Sequence, residues 1–421
     1  MSALTASQIT PVLLEVVSTE VPIMYESGET TMKLMEGGKK FLTTIREFRQ
    51  PVWMEPGGNY RYADFQGDYG RGSAQIPQVA RVVPVERLVA TEISATIQML
   101  TKSPTQTVID VFTRQIQNST IEFRTMTDRD IQGSGNGVMG TIATGGISGT
   151  TFTLDSPFYT QRMRVNDIFV VMDSGQTVIR GTLRVTAIDD INNTITVSNV
   201  PAGTVVGDVL CVEGYGTATT TTLTGIAYHQ NNAATGTWET LSRVTYPYIR
   251  TPSLNAAGAT LTVAQVQKLQ TLLDDVKGDI TVNGSSDWVL HMHSRQRTLL
   301  ASELNQQMYV PWGSGTAAEV IDPGKQVKSL AWCCGFQVHA SNHASRTRVD
   351  LLKKSNWYRI QYKDVGPMNI ADDGRTWLPI YGASGGFGGK QITYIGAAEQ
   401  VCVYDPRAGA YIYGLAEPTG Y

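Results

Sequence analysis

The chain has 421 residues, enough for one large domain or two to three ordinary ones, and for a core that needs no metal or disulfide staple. Its charged share of 17% is below the ~25% usual for globular chains, as in proteins that bury surface in partners or in ordinary β-rich proteins. With 34 Lys and Arg against 37 Asp and Glu, a net charge of −3 and no polybasic run, composition speaks against a phosphate-contacting nucleic-acid binder, while a near-neutral wall beside DNA is compatible.

Residues 1–40 read as a polar arm with one apolar cluster at Pro11–Val17 and paired glycines at Gly37 and Gly38. Residues 41–99 read as two extended segments joined by a tip dense in chain breakers, among them Pro51, Pro56, Gly57, Gly58, Gly67, Gly70, Gly72 and Pro77. The return segment alternates. Val85, Val89, Ile93, Ala95, Ile97 and Met99 fall on one face, and Glu86, Glu92, Ser94, Thr96 and Gln98 on the other, the period of a half-buried strand. A ribbon of this kind has no evident core of its own, and long loops are usually functional. Its aromatics, Trp53, Tyr60, Tyr62, Phe65 and Tyr69, are either anchors on another surface or local packing within the tip.

Ser103 as N-cap and Pro104 at the first helical position open the strongest predicted helix. Ile109, Phe112, Ile116, Phe123 and Met126 follow at helical spacing, and Asp110, Arg114, Glu122, Arg124, Arg129 and Asp130 occupy the other face. The run reaches about Gln132, a rod of roughly 40 Å, and stops at Gly133-Ser-Gly-Asn-Gly. Residues 141–216 then change to short strands at Thr151–Leu154, Ile168–Met172, Thr177–Val185, Thr194–Val197 and Asp208–Val212, which suggests a small barrel or sandwich. Two of its segments look alike, Val165-Asn-Asp-Ile-Phe-Val-Val and Val206-Gly-Asp-Val-Leu-Cys-Val.

The remainder is mixed. Thr262 and Gln265 form a capping box, Val263, Val266, Leu269, Leu272 and Val276 a buried stripe, and Gly278 a stop. Strands are predicted at Trp288–Met292, Gly335–Ser341, Val349–Tyr362, Gln391–Ile395, Val401–Tyr404 and Tyr411–Leu415, with a second helix from Ser294 to about Met308. The glycine-rich run 382–389 is followed by strand-like residues rather than a helix, so it reads as a loop and not as a phosphate cradle.

Candidate chemistry is sparse. Cys211, Cys333, Cys334 and Cys402 form no C-x-x-C and read as reduced thiols of a cytoplasmic product. His291 and His293 share a strand face without a carboxylate or cysteine at ligand spacing, and His339 and His343 with Cys333 and Cys334 fit no zinc spacing. Neither G-x-S-x-G nor H-E-x-x-H occurs, and no cofactor, metal or catalytic set is expected. No basic start with an apolar run suggests a signal peptide, and no stretch nears the ~18 apolar residues of a membrane helix.

The order of parts resembles the major capsid proteins of tailed bacteriophages. The local carriers are Thr101–Gly140, ending Gly-Ser-Gly-Asn-Gly-Val-Met-Gly, then Leu223-Thr-Gly-Ile-Ala-Tyr-His with Arg243-Val-Thr-Tyr-Pro and the Thr262 helix. Gly335-Phe-Gln-Val-His-Ala-Ser-Asn leading into Leu351-Leu352 is a third, and Ala397-Ala-Glu-Gln-Val-Cys-Val-Tyr-Asp-Pro-Arg with Tyr411-Ile-Tyr-Gly-Leu a fourth.

The resemblance implies an α+β tailed-phage capsid fold, shared with encapsulins and herpesvirus capsid floor domains. Its parts would be an N-terminal arm (1–40), an extended β loop (41–99), a peripheral-domain spine helix (100–140), a small inserted β-barrel-like domain (141–216), an axial domain with part of the peripheral sheet (217–396) and closing peripheral strands (397–421). It also implies a homo-oligomer of hexamers and pentamers in an icosahedral head, assembled in the host cytoplasm around double-stranded DNA held by non-specific proximity. The partners it implies are a separate scaffolding protein, since the arm is short for a scaffolding domain, a portal protein at one vertex and, optionally, a decoration protein. Inter-subunit contacts are expected from Arg46, Glu47, Arg49, Trp53, Tyr60, Tyr62, Arg87, Glu92, Asp110, Arg114, Arg124 and Arg129. No lysine lies between Arg49 and Thr101, so no lysine cross-link is expected from this loop. The alternatives are an encapsulin-like cargo shell and, from another class, a β-rich enzyme or tail adhesin.

Overall fold

The computed structural model of the chain describes residues 31–35, 38–41, 47–54, 77–94, 111–156, 158–214, 222–278, 280, 285–307, 332–367, 377–381 and 387–418. In chain order the first half holds β1 (Lys39–Phe41), β2 (Phe48–Trp53), β3 (Pro77–Val82), β4 (Val85–Ser94), α1 (Val111–Asp130), β5 (Val138–Ser148), β6 (Thr151–Asp155), β7 (Ile168–Met172), β8 (Ile179–Asp189), β9 (Thr194–Val197) and β10 (Val209–Val212). The second half holds β11 (Thr237–Trp238), β12 (Leu241–Ser242), β13 (Ser253–Asn255), α2 (Val263–Lys277), β14 (Trp288–His293), α3 (Ser294–Gln307), β15 (Trp332–Cys333), β16 (Phe336–Ser341), β17 (Val349–Lys353), β18 (Trp357–Pro367), β19 (Trp377–Tyr381), β20 (Phe387–Val403) and β21 (Gly409–Tyr413). The chain divides into two compact units, the smaller drawn from 1–28, 87–126 and 364–397, the larger from 29–86, 127–363 and 398–421.

In the smaller unit, β19 pairs antiparallel with β20 from Trp377↔Thr393 to Ile380↔Lys390, and β4 also pairs with β20. The 111–126 part of α1 meets β4 through the Thr91 and Ser119 hydroxyls, 2.7 Å apart. The predicted cap at Ser103 and Pro104 lies outside the described residues. Those of α1 number 20, or about 30 Å of rod. Phe123 is buried, as its helical spacing predicts.

The larger unit is built on a six-stranded sheet in the order β13-β21-β17-β14-β16-β15. Its strand β14 is buried at all six positions. Helices α2 and α3 pack their apolar residues, Val266, Leu269, Leu273 and Leu300, into one core with Leu290, Met292, Phe336, Leu351 and Ile412 of that sheet. The capping box at the start of α2 is present. Gln265 N donates to Thr262 Oγ1 at 3.3 Å, and Thr262 N donates to Gln265 Oε1 at 3.0 Å. Gly278 ends the helix at φ 76°, a left-handed value that costs a side-chain-bearing residue strain. The buried stripe differs from expectation at its second half, where Leu273 is buried and Leu272 and Val276 only half-buried. A 3.6-residue period carries 266 and 269 onto 273 rather than 272.

Strands β5 to β10 close a barrel in the order β10-β5-β6-β9-β8-β7 around Phe152, Leu154, Phe169, Leu183, Ile195 and Leu210. Strand β5 starts at Val138 and absorbs Gly145-Gly146 as a register shift between Ile142 and Ile147. The two similar segments form β7 and β10, which pair with each other from Val209↔Met172 to Val212↔Phe169. Each begins the same way. Asn166 and Gly207 hold positive φ, and the next residue, Asp167 or Asp208, accepts the amide of Arg164 or Val205 at 2.9 and 2.8 Å. Arg129 lies 3.4 Å from Asp167 and Arg180 lies 3.3 Å from Asp208, so each turn carboxylate also faces a guanidinium.

A second core, with Ile131, Leu223, Trp238, Trp357 and Val401, receives the end of α1. There Gly133 N bonds Asp130 O, and the single helical turn Ile226–His229 starts with Ile226 N on Ile131 O at 2.6 Å. Gly225 permits this approach, since a Cβ there would sit 1.9 Å from Ile131 O. The two strands predicted at Gln391–Ile395 and Val401–Tyr404 are one strand of 17 residues, β20.

Candidate subunit interface

Strands β2 and β3 pair antiparallel from Phe48↔Val82 to Trp53↔Pro77 and form the described base of the predicted ribbon. A strand puts alternate residues on opposite faces, so each strand contributes one inward and one outward set. The inward set is Phe48, Gln50 and Val52 from β2 with Gln78, Ala80 and Val82 from β3, and Ala80 and Val82 are fully covered. Gln50 fixes this face. Its Nε2 donates to Tyr404 O at 3.1 Å, and its Oε1 accepts from the Tyr358 hydroxyl. Nearby, the Lys40 ammonium of β1 stands 4.2, 4.6 and 5.1 Å from the ring centroids of Tyr358, Tyr404 and Phe48. Cation–π attraction thus adds to the three-residue parallel pairing of β1 with β18.

The outward set is Arg49, Pro51 and Trp53 with Pro77, Val79 and Arg81, all exposed. Cross-strand register sets Trp53 against Pro77, Pro51 against Val79 and Arg49 against Arg81. Trp53 is 64% and Val79 42% exposed, values a folded chain keeps for apolar groups that another surface covers or that water tolerates singly. Here they adjoin, with two prolines, in one strip. Arg49 binds Glu47, Nε and Nη2 each 2.6 Å from Oε1. Arg81, directly opposite, has no ion pair among the described residues, and like charges so placed repel.

Beneath the ribbon lies a buried polar hub. Thr240 Oγ1 donates to Val79 O at 3.3 Å from the turn that links β11 and β12. In that turn Glu239 adopts φ 53° and is largely buried. Burial pushes its carboxyl up to about 8, against the pull of Arg243. His229 Nε2 donates to Val401 O at 2.9 Å, while Nδ1 accepts from Trp238 Nε1 at 3.1 Å, so the ring is satisfied as the neutral form. Burial pulls its pKa down to about 3.

The expected contact residues distribute unevenly. Glu47, Arg49 and Trp53 come together on the ribbon base. Arg87 and Glu92 belong to the smaller unit, where the Arg87 guanidinium sits 5.0 Å from the Phe123 ring centroid and Glu92 pairs with Lys390 at 3.6 Å. Arg124 is exposed on α1. Arg129 is buried, with Nη1 on Arg162 O at 3.0 Å and near Asp167, so its polar contacts lie within the chain, at the seam of helix and barrel. Arg46, Tyr60, Tyr62 and Asp110 lie outside the described residues, and the Arg114 side chain does too. Sequence reasoning missed Pro51, Pro77, Val79 and Arg81, although alternation through Pro77-Gln-Val-Ala-Arg-Val carries the signal.

No group of three or more His, Cys, Asp or Glu side chains among the described residues is arranged to hold a metal ion. All four cysteines are free, with the Cys333 and Cys334 sulfurs 3.7 Å apart. No described helix is long and apolar enough to cross a membrane.

No family model matches the chain, and no curated protein matches its sequence. Solved structures do match it in fold. The capsid asymmetric unit of cyanophage A-1(L) superposes with a TM-score of 0.59 at 10% identity, covering 98% of this chain and 99% of that one. The capsid of an empty GTA particle gives 0.52 at 10% identity, and that of a native GTA particle 0.50 at 11%, each covering 99% of both chains. The chain therefore has the fold of these capsid proteins. That fold is α+β, as expected from the sequence.

Proposed function

We propose that this chain is a major capsid protein that self-assembles into hexamers and pentamers and forms the icosahedral head of a tailed phage around double-stranded DNA. The observation that carries the reading is the ribbon base. One face is locked onto the core by Gln50, Ala80 and Val82, while the other presents Trp53, Val79 and two prolines outward. A subunit that tiles a shell needs such a face, because closed symmetric assemblies are built from repeated complementary patches. Each contact is weak alone and gains from the many made at once. The net charge of −3 suits a wall that encloses DNA without gripping it. A separate scaffolding protein, a portal protein and, optionally, a decoration protein complete the set of partners, and the virion is its final location. Negative-stain imaging of the purified chain tests the reading, alone and co-expressed with the scaffolding protein. Icosahedral particles are expected, and a uniform population of monomers under both conditions would refute it.

A further inference from the structure

A chain of buried hydrogen bonds joins the N-terminal end of the described structure to the six-stranded sheet. Asp128, near the end of α1, accepts the amides of Thr31 and Met32 at 2.7 and 2.9 Å through one carboxylate oxygen. Gln132, one turn on, donates from Nε2 to Thr31 Oγ1 at 2.9 Å. Its Oε1 lies 2.9 Å from His291 Nε2, and His291 Nδ1 lies 3.0 Å from His339 Nδ1 across β14 and β16. The two imidazole planes lie 19° apart with ring centroids 5.2 Å apart, so the rings meet edge to edge. Thr31, Asp128, Gln132 and His291 are all buried.

With Gln132 Nε2 placed on Thr31, the bonding pattern assigns the protons along this chain. Gln132 uses its amide N–H on Thr31, so its oxygen is an acceptor and His291 Nε2 must carry the hydrogen. His291 Nδ1 is then bare, and the hydrogen between the two rings belongs to His339 Nδ1. Both histidines are neutral in this arrangement. A first proton can add at His339 Nε2 with every bond of the relay kept; a second, on His291 Nδ1, would point at the N–H of His339 at 3.0 Å, so the pair cannot carry two without parting.

We infer that this relay is an acid-sensitive latch that holds residues 31–35 on the end of α1 and frees them when both histidines of the His291–His339 pair are protonated. The surroundings bear on its sign. Facing His291 are His339 of β16, Asp350 of β17, Arg348 just before that strand, and Gln132; facing His339 are Asp128 from α1 and Arg297 from α3. Asp350 is bound by Arg348 at 2.7 Å, which leaves that pair near neutral. His343 stands 3.7 Å from Asp128 on the carboxylate's other oxygen. His293, flanked by Arg295 and Arg346, accepts the amide of Arg295 at 3.1 Å and is no part of the relay. Burial holds His291 well below the ordinary histidine value, and the neighbouring ring and Arg348 add to this. Protons therefore bind better once the relay has opened. The latch is complete above the free-histidine pKa of about 6.5 and weakens as pH falls below it.

Hydrogen exchange of the full-length chain in solution tests this at pH 7.5, 6.0 and 5.0, with rates corrected for intrinsic pH dependence. Protection of residues 31–35 is expected to fall at least about tenfold across the series, while peptides of the barrel 138–212 keep theirs. Protection at 31–35 that stays constant would overturn the inference, as would loss that occurs only together with the barrel. His291→Gln retains a donor toward Gln132 but cannot titrate, and it is expected to flatten the pH dependence. An undiminished dependence in that variant would place the titration outside His291 and overturn the assignment. The wild-type series stands without the variant, and neither readout depends on whether the chain forms shells.

Discussion

Trp53 keeps 64% of its surface exposed on the outward face of the ribbon, so its replacement by alanine removes little from the isolated chain. A Trp that becomes fully covered buries 150–250 Å², and 64% of that is on the order of 100–160 Å² still to be covered in an assembly. At ~25 cal/mol per Å² this corresponds to roughly 2.5–4 kcal/mol per contact, in the range of an interface hot spot. Each tenfold in an association constant takes about 1.4 kcal/mol, so Trp53→Ala is expected to raise the concentration at which assemblies form by about 10²-fold or more. Sedimentation velocity across a concentration series reads that threshold directly. Thermal unfolding of the unassembled chain should move little, because surface substitutions usually stay within about ±0.5 kcal/mol. An unchanged threshold would remove Trp53 as an anchor. A melting temperature lowered by many degrees would show instead that the indole packs within its own subunit.

Gly225→Ala places a Cβ 1.9 Å from Ile131 O, and the backbone on both sides must move. Little or no soluble, cooperatively melting protein is expected from an expression and circular-dichroism comparison. Thr262→Ala removes the hydroxyl that caps α2 and should cost about 1 kcal/mol in a urea titration, with the m-value unchanged. Glu239, raised to about 8 by burial, holds its proton in the fold at pH values where an exposed carboxyl has lost it. Its contribution to stability is complete at acid pH and is lost as pH rises from about 4.5 through 8. Urea midpoints of the wild type should therefore fall between pH 6 and 9, and those of Glu239→Gln should fall less. Because the 49–101 stretch has no lysine, no covalent ladder mapped to that stretch is expected when assembled particles are boiled in detergent and run on a gel; such a ladder would contradict this.

Features written in short stretches of sequence were legible. Thr262 and Gln265 lie three residues apart and Gly278 follows the last turn, so cap, helix and stop are all local. The repeated Asn-Asp and Gly-Asp turns were visible as a likeness between two segments, although their pairing with each other was not. What stayed hidden depends on partners distant in the chain. Arg129 reads as a surface charge on a helical wheel, but the carboxylate that buries it, Asp167, lies 38 residues on and arrives only when the barrel closes. The outward strip needs the register Pro51↔Val79, set by which faces of both strands the core accepts. The histidine relay draws on residues from 31 to 339, and no single window contains more than two of its members.

The closure of the barrel has a consequence for how copies of this chain would meet one another. An open sheet ends in strands with unpaired N–H and C=O groups, which invite any other strand to add on. In β5 to β10 each strand is bonded on both sides, so the stretch from Val138 to Val212 adds no sticky rim to the chain. In the proposed shell, many copies of this module would crowd together, and the closed ring would let them do so without zipping into one another. Recognition between subunits would then rest on the surfaces shaped for it, and not on backbone that happens to be free.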